Sequence, residues 1–308
     1  MTDTALDPPA DPVVPPRPQT PFRRAVSDFC ESKLALLGLF LVAIAVFVAV
    51  FAPLISPQDP FDIATLDLLD AKSPPGSVSG DGKITHWLGT DGQARDMLSA
   101  IFYGMRISLF VGFVSVAAAL AIGTVVGLVA AYAGGRIDAL LMRIVDIMLS
   151  FPAILVALIL LSLLGKGIDK VLVALILVQW AYFARAARAA ALVERNKEYV
   201  EAATCLALPS SRIVFRHMLP NCLPSLIVIA TITLARAIAL EATLSFLGVG
   251  VPVTQPSLGM LISNGFEFLM SGSYWISFFP GIALAIAIVG INLAGDHLRD
   301  VLNPRNLR

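Results

Sequence analysis

A cation and a carboxylate, Arg236 and Glu241, lie inside the apolar run that Pro224 opens. Charges at membrane depth are costly and usually face a bundle interior or a water-filled cavity, so these two residues mark where a polar solute or ion could pass. Five residues apart on a helix, they point about 140° away from each other and are poorly placed to pair within one helix. In one reading both lie on a translocation path, where Arg236 meets a carboxylate of the solute. In the other, Arg236 bonds carbonyls of a partner helix and Glu241 sits near the outer interface. Catalytic chemistry has less to work with. No GxxxxGK[ST] loop is present to cradle phosphate, and His86, His217 and His297 are far apart with no HExxH among them. Ser and Asp do not occur in a nucleophile-elbow context. Cys30, Cys205 and Cys222 are too few and scattered for a disulfide framework or a thiolate site. No catalytic residue, no metal and no cofactor bound by this chain is expected.

The other constellation is a polar, proline-punctuated island from Glu198 to Asn221, between two apolar runs. Strong helix formers continue to Ala207, and Pro209 breaks the helix. Ser210 and Ser211 suit a cap, and a second short helix from Arg212 is expected to stop at Pro220. Ala202 and Ala203 beside Glu201 leave little bulk at the tip of the first helix, so a groove of another protein can approach its backbone.

The spacing of Glu201-Ala202-Ala203, Ala207, His217 and Leu219-Pro220 resembles the cytoplasmic coupling loop of permease subunits in ABC importers. Ala207 stands where glycine is usual, which argues against a left-handed residue there, since only glycine adopts one cheaply. The run from Arg216 to Asn221 resembles the form in the dipeptide/oligopeptide/nickel branch. So do Leu88-Gly89-Thr90-Asp91 followed by Arg95-Asp96, the stretch from Asp146 to Pro152, Leu244 to Gly248, and the ending from Gly295 to Pro304. Together the similarity covers roughly residues 20 to 305. It implies a type I ABC importer permease fold, all-α, with six transmembrane helices and a coupling helix. It also implies a homologous second permease subunit, two ATP-binding-cassette ATPase subunits that bind the ATP and Mg, and a periplasmic substrate-binding protein. Glu201, Ala202, Ala203, Ala207, Leu219 and Pro220 would couple to the ATPases. For Gly89, Thr90, Asp91, Arg95 and Asp96 it favours a periplasmic gate or docking role, with Ala94 replacing a usual glycine; taken alone the segment reads as a turn before a helix.

The elements that must position these residues are membrane spans. Hydrophobic residues make up 57% of the chain, charged residues 14%, and mean hydropathy is +0.82, outside the range of an ordinary soluble domain. Acids and bases balance at 22 each, so nothing invites nucleic acid. Leu34 to Ala52 is 19 residues without a charge, enough to cross a bilayer. Further spans are expected at 107–133, at 144–164 with a kink at Pro152, from about 171 into an Ala-rich helix leading to Glu201, after Pro224, and at 278–294. Gly123 and Gly127 make a small-xxx-small face on the second span. Arg185 and Arg188 are expected to snorkel to lipid headgroups. With both termini on one side, that side carries 15 Lys and Arg against six on the other, which places the Glu201 loop in the cytoplasm by the positive-inside rule.

These readings divide the chain into a disordered cytoplasmic tail (1–32, rich in proline), a first transmembrane helix (33–55), a periplasmic loop (56–105), a permease core (106–297, five helices with the coupling loop at 192–221) and a cytoplasmic tail (298–308). The expected function is the transmembrane subunit of an importer for di- or oligopeptides in the inner membrane of a bacterium, not itself an enzyme. The alternatives are a secondary transporter or channel using Arg236 and Glu241, or the same role with nickel or another small solute.

Overall fold

The computed structural model describes residues 27, 29–62 and 66–302; most of the proline-rich tail, with Arg305 and Arg308, lies outside the described residues. Helix α1, Lys33–Ile55, is capped by Ser32, whose hydroxyl accepts from the Ala35 backbone N–H at 3.3 Å. Its buried stripe is built of small residues, Ala35, Gly38, Ala45, Ala49 and Ala52. The larger Leu36, Phe40 and Phe47 are exposed on its outer side, as a helix facing lipid requires.

The loop read at 56–105, with a short helix near its end, gives way to a helix that runs without a break into the second span. Asp96 caps helix α2, Met97–Ala133, by accepting from Ser99 N–H at 2.8 Å, so residues 97–106 are helical. The loop also holds a short hairpin, β1 (Ser77–Val78) against β2 (Thr85–His86), antiparallel with Ser77 opposite His86. Helices α2 and α5, Ile168–Arg195, share the most extensive interface. A Cβ at Gly127 would lie 2.4 Å from the Ala184 carbonyl oxygen, and one at Gly123 2.5 Å from that of Trp180. The two backbones therefore touch, as the small-xxx-small pattern predicts.

Between them, the expected kinked span is a broken one. Helix α3, Gly135–Ser150, and helix α4, Ala153–Leu164, meet at 87°. Pro152 forces Phe151 into an extended conformation (φ −98°, ψ 142°), which no helix can carry through. Arg185 and Arg188 of α5 do not reach for lipid. Arg188 Nε and Nη2 grip the carboxylate of Asp138 at 2.5 and 2.6 Å, and Arg185 pairs with Asp146, so both arginines bind α3 to α5.

Short helix α6, Glu198–Cys205, is followed by α7, Ser210–Phe246. Pro220 does not stop α7, and Pro224 lies inside it. Residues Ile213–Met218 form a wider π turn in which Leu219 N–H donates to the Val214 carbonyl. That extra width accommodates a proline ring that would clash in a regular turn. Helix α8, Leu258–Phe266, and helix α9, Trp275–Leu302, complete the bundle. Among the described residues, five helices are long and apolar enough to cross a membrane, and the bent pair α3–α4 makes six if counted as one span.

Candidate functional site

Three places gather the residues singled out from sequence. The first is the tip formed by α6 and the start of α7. Val200 and Ala203 of α6 are buried with Ile213, Val214 and Met218 of α7, against Leu128 of α2 and Ala187 and Ala191 of α5. Glu201 and Ala202 are exposed on the opposite side, with Leu206, Ala207 and Phe215. Ala203 thus belongs to the packed side of α6 and not to its free tip, because its methyl is needed where the helix meets the core. Leu219 is partly buried in the same cluster, and Pro220 is exposed.

Helix α6 ends in a Schellman turn. Leu208 N–H donates to the Ala203 carbonyl at 3.2 Å and Ala207 N–H to that of Thr204 at 2.9 Å, with Ala207 at φ 53°. The left-handed residue that alanine argued against is present: burial of Leu208 beside the core outweighs the cost at Ala207. Ala94 adopts the same region at φ 61°. Because Ala207 is exposed, Ala207→Gly relieves strain without opening a cavity. It is expected to stabilise the protein by about 1 kcal/mol, seen as a raised Tm; a lowered Tm would contradict the strain.

A hydrogen-bonded chain sets the angle of this tip. Buried Glu194 at the end of α5 accepts from Lys197 Nζ and from the Tyr199 hydroxyl, both at 2.7 Å. The Tyr199 oxygen accepts from Asn221 Nδ2 at 3.1 Å, and the same Nδ2 donates to the His217 carbonyl at 2.8 Å. Burial, followed by the bond to Glu194, pushes the Tyr199 phenol up to about 12. A phenol whose folded value lies above its ordinary one contributes stability below about pH 10, lost as pH rises toward 12. Tyr199 and Glu194 were not among the residues picked from sequence; their only signal was membership of, or nearness to, the polar island.

The second place is the loop segment before α2, and it is a buried polar knot. Thr90, Asp91, Arg95 and Asp96 are all at most 1% exposed. Asp91 Oδ2 lies 2.7 Å from Arg95 Nε and 2.6 Å from Nη2, while Asp91 Oδ1 accepts from Gln93 and Arg95 N–H. Arg95 Nη1 reaches the Val253 carbonyl between α7 and α8 at 3.3 Å. Trp275 Nε1 at the start of α9 donates to the Thr90 carbonyl, and Asp96 accepts from Ser99 while contacting His86 Nδ1. Gly89, at φ 79°, has no room for a Cβ, which would meet the Ser73 carbonyl at 2.6 Å. These side chains cannot form a docking surface, since they are spent on one another; they hold the loop to the start of α2, to the segment between α7 and α8, and to the start of α9.

The third place is a cavity of about 560 Å3 between α5 and α7, with Arg236 and Gln179 among its lining residues. Arg236 is exposed to it. Glu241 is not on this path: it is 0% exposed and accepts from the Ser108 hydroxyl of α2 at 2.9 Å and that of Ser245 at 2.8 Å. Five residues of rotation carry it to the opposite side of α7, as the helical geometry requires. An ion path shared by the two residues therefore fails. Glu241→Leu should strand two buried hydroxyls and lower stability by about 2 kcal/mol or more, whereas Glu241→Gln, equal in size and still an acceptor, should lose far less; equal Tm values for both variants would contradict this.

The family described as binding-protein-dependent transport system inner membrane component matches residues 123–308. This chain belongs to that family. A second description, the N-terminal TM domain of oligopeptide transport permease C, matches residues 20–75. The chain is 37% identical to a dipeptide transport system permease protein of Alkalihalophilus pseudofirmus, over 93% of this chain and 90% of that one. It is 36% identical to the oligopeptide transport system permease protein of Bacillus subtilis, over 92% and 90%. In fold it is similar to the inward-facing MetNI methionine ABC transporter, with TM-score 0.55 and 23% identity over 67% of this chain and 97% of that one. Membership assigns the bundle to a multi-pass transport permease. Within this permease, the exposed tip and the Arg236 cavity are at separate places along α7.

Proposed function

We propose that this chain is one of two permease subunits of a peptide importer in a bacterial inner membrane, with both termini cytoplasmic. Two ATP-binding-cassette ATPases would seat the tip around Glu201, Ala202, Ala207 and Pro220, and a periplasmic binding protein would deliver cargo above the cavity. The observation that carries this reading is the exposed small-residue face of α6, fixed to α2, α5 and α7 by its buried side. A tip so anchored transmits force instead of folding away. Di- and oligopeptides as cargo follow the names of the related permeases, and Arg236 in the cavity offers such a cargo a cation. ATP and Mg would be bound by the partner ATPases. Closure of the ATPases would rock the two permease subunits, and ATP and the loaded binding protein must each prefer a different state to shift that equilibrium.

The test is uptake of labelled di- and oligopeptides by vesicles holding the full complex. Uptake should require ATP and the binding protein; import of nickel in place of peptide would move the chain to the alternative cargo. For topology, cysteines placed at Ser77 and Asn196, after the exposed Cys30 and Cys205 are replaced, should label from opposite sides of the membrane. Labelling of both from outside would overturn the orientation.

A further inference from the structure

Gln179 of α5 is 5% exposed, yet neither its amide oxygen nor its amide nitrogen has a hydrogen-bond partner among the described residues. It lines the same cavity as Arg236, which likewise carries no hydrogen bond or ion pair there. A buried amide left unpaired in an apolar wall is destabilising, so its retention at this point in the cavity calls for something that pairs with it. Nearby hydroxyls do not: Thr233, also in the cavity wall, donates to the Ile229 carbonyl on its own helix at 2.7 Å. The charge of the wall is one-sided. Arg236 and Arg299 line the cavity, and no Asp or Glu among the described residues does.

We propose that Gln179 and Arg236 form a subsite for the C-terminal end of a peptide, Arg236 taking the terminal carboxylate and Gln179 the last peptide bond. This rests on the peptide-importer reading above and adds to it the part of the cargo that is held. A guanidinium meets a carboxylate with two parallel N–H donors. A carboxamide side chain presents one acceptor and a donor pair, the complement of the C=O and N–H of a peptide bond. The two groups come from different helices, so a movement of α5 against α7 parts them and lets the cargo go. Apart from Tyr182, Thr233 and Arg299, the remaining wall is apolar: Ala153, Val178, Ile232 and Leu240 tolerate any side chain without choosing one. Such a subsite reads the backbone end, common to all peptides, and holds it weakly enough to release, as a conduction path requires.

The experiment uses the full complex in proteoliposomes with saturating binding protein, and two probes, trialanine and trialanine amide. Arg236→Gln should lower trialanine uptake about tenfold or more, the scale of a lost charge-assisted bond, and change amide uptake little. Arg236→Lys should keep part of the preference for the free carboxylate. Gln179→Leu should lower both probes by a similar factor, since both carry the last peptide linkage, and a separate titration should give half-saturation by the binding protein unchanged in every variant. Equal effects of Arg236→Gln on the two probes, or none in an assembled complex, would overturn the subsite. Loss of the second permease subunit on purification of Gln179→Leu would show that the amide pairs with that subunit and would remove Gln179 from the cargo site. Import of neither probe by the wild-type complex would overturn the peptide reading itself, and the subsite with it.

Discussion

Glu201→Lys is expected to abolish ATP hydrolysis stimulated by the loaded binding protein, while the subunit stays inserted and paired. Glu201 is exposed on α6 and its carboxylate bonds to nothing among the described residues, so the change costs the fold almost nothing. In a docked ATPase groove the carboxylate would take charge-assisted bonds worth about 1.5–3 kcal/mol each, and a lysine turns that attraction into repulsion. Ala202→Trp is the steric counterpart, because Ala202 is also exposed and an indole there holds the tip away from a close-fitting partner. Ala203→Trp is a different experiment. Ala203 is 6% exposed in the cluster with Ile213 and Met218, so the larger ring would unseat α6 and lower Tm as well as docking. Co-purified ATPase and ATP turnover are the readouts. Normal docking and stimulation in both Glu201→Lys and Ala202→Trp would mean that this tip does not couple.

Asp91→Ala should cost about 3–5 kcal/mol, the penalty for leaving a buried charge without its partner. Arg95 is 1% exposed, and among the described residues the other partner of its guanidinium is the Val253 carbonyl. Removing the carboxylate also frees the Gln93 and Arg95 N–H groups that Asp91 Oδ1 accepts. The double change Asp91→Leu with Arg95→Met removes both charges and should be markedly milder than Asp91→Ala. Tm of the purified complex and protease sensitivity of the loop before Met97 measure this. An Asp91→Ala protein as stable as wild type would show that the knot is not what fastens the loop.

Much of this was legible in one dimension because membranes impose one-dimensional rules. A helix crossing lipid must satisfy its own backbone within about 20 apolar residues, so run lengths alone located the spans. The polar island stood out for the same reason, and the Gly123 and Gly127 pair announced a backbone contact because only small residues permit one. Breaks were harder to judge. Pro152 and Pro220 look alike in a sequence, yet one ends a helix at 87° and the other sits in a continuous one. A π turn that depends on neighbouring packing absorbs the second.

By itself the sequence determined the bundle of apolar helices, the exposed tip with Glu201, and the presence of one cation and one carboxylate on the fifth long run. The tertiary structure alone decided what those groups face. Glu241 is sealed by Ser108, 133 residues away, while Arg236 opens on a cavity shared with Gln179. Arg185 and Arg188 found Asp146 and Asp138 on a helix whose direction only the break at Pro152 allows. The physical reason is common to all of these: charges and amides in a low-dielectric interior are governed by the few groups within hydrogen-bond reach, and those neighbours are set by packing across the bundle, not by position along the chain.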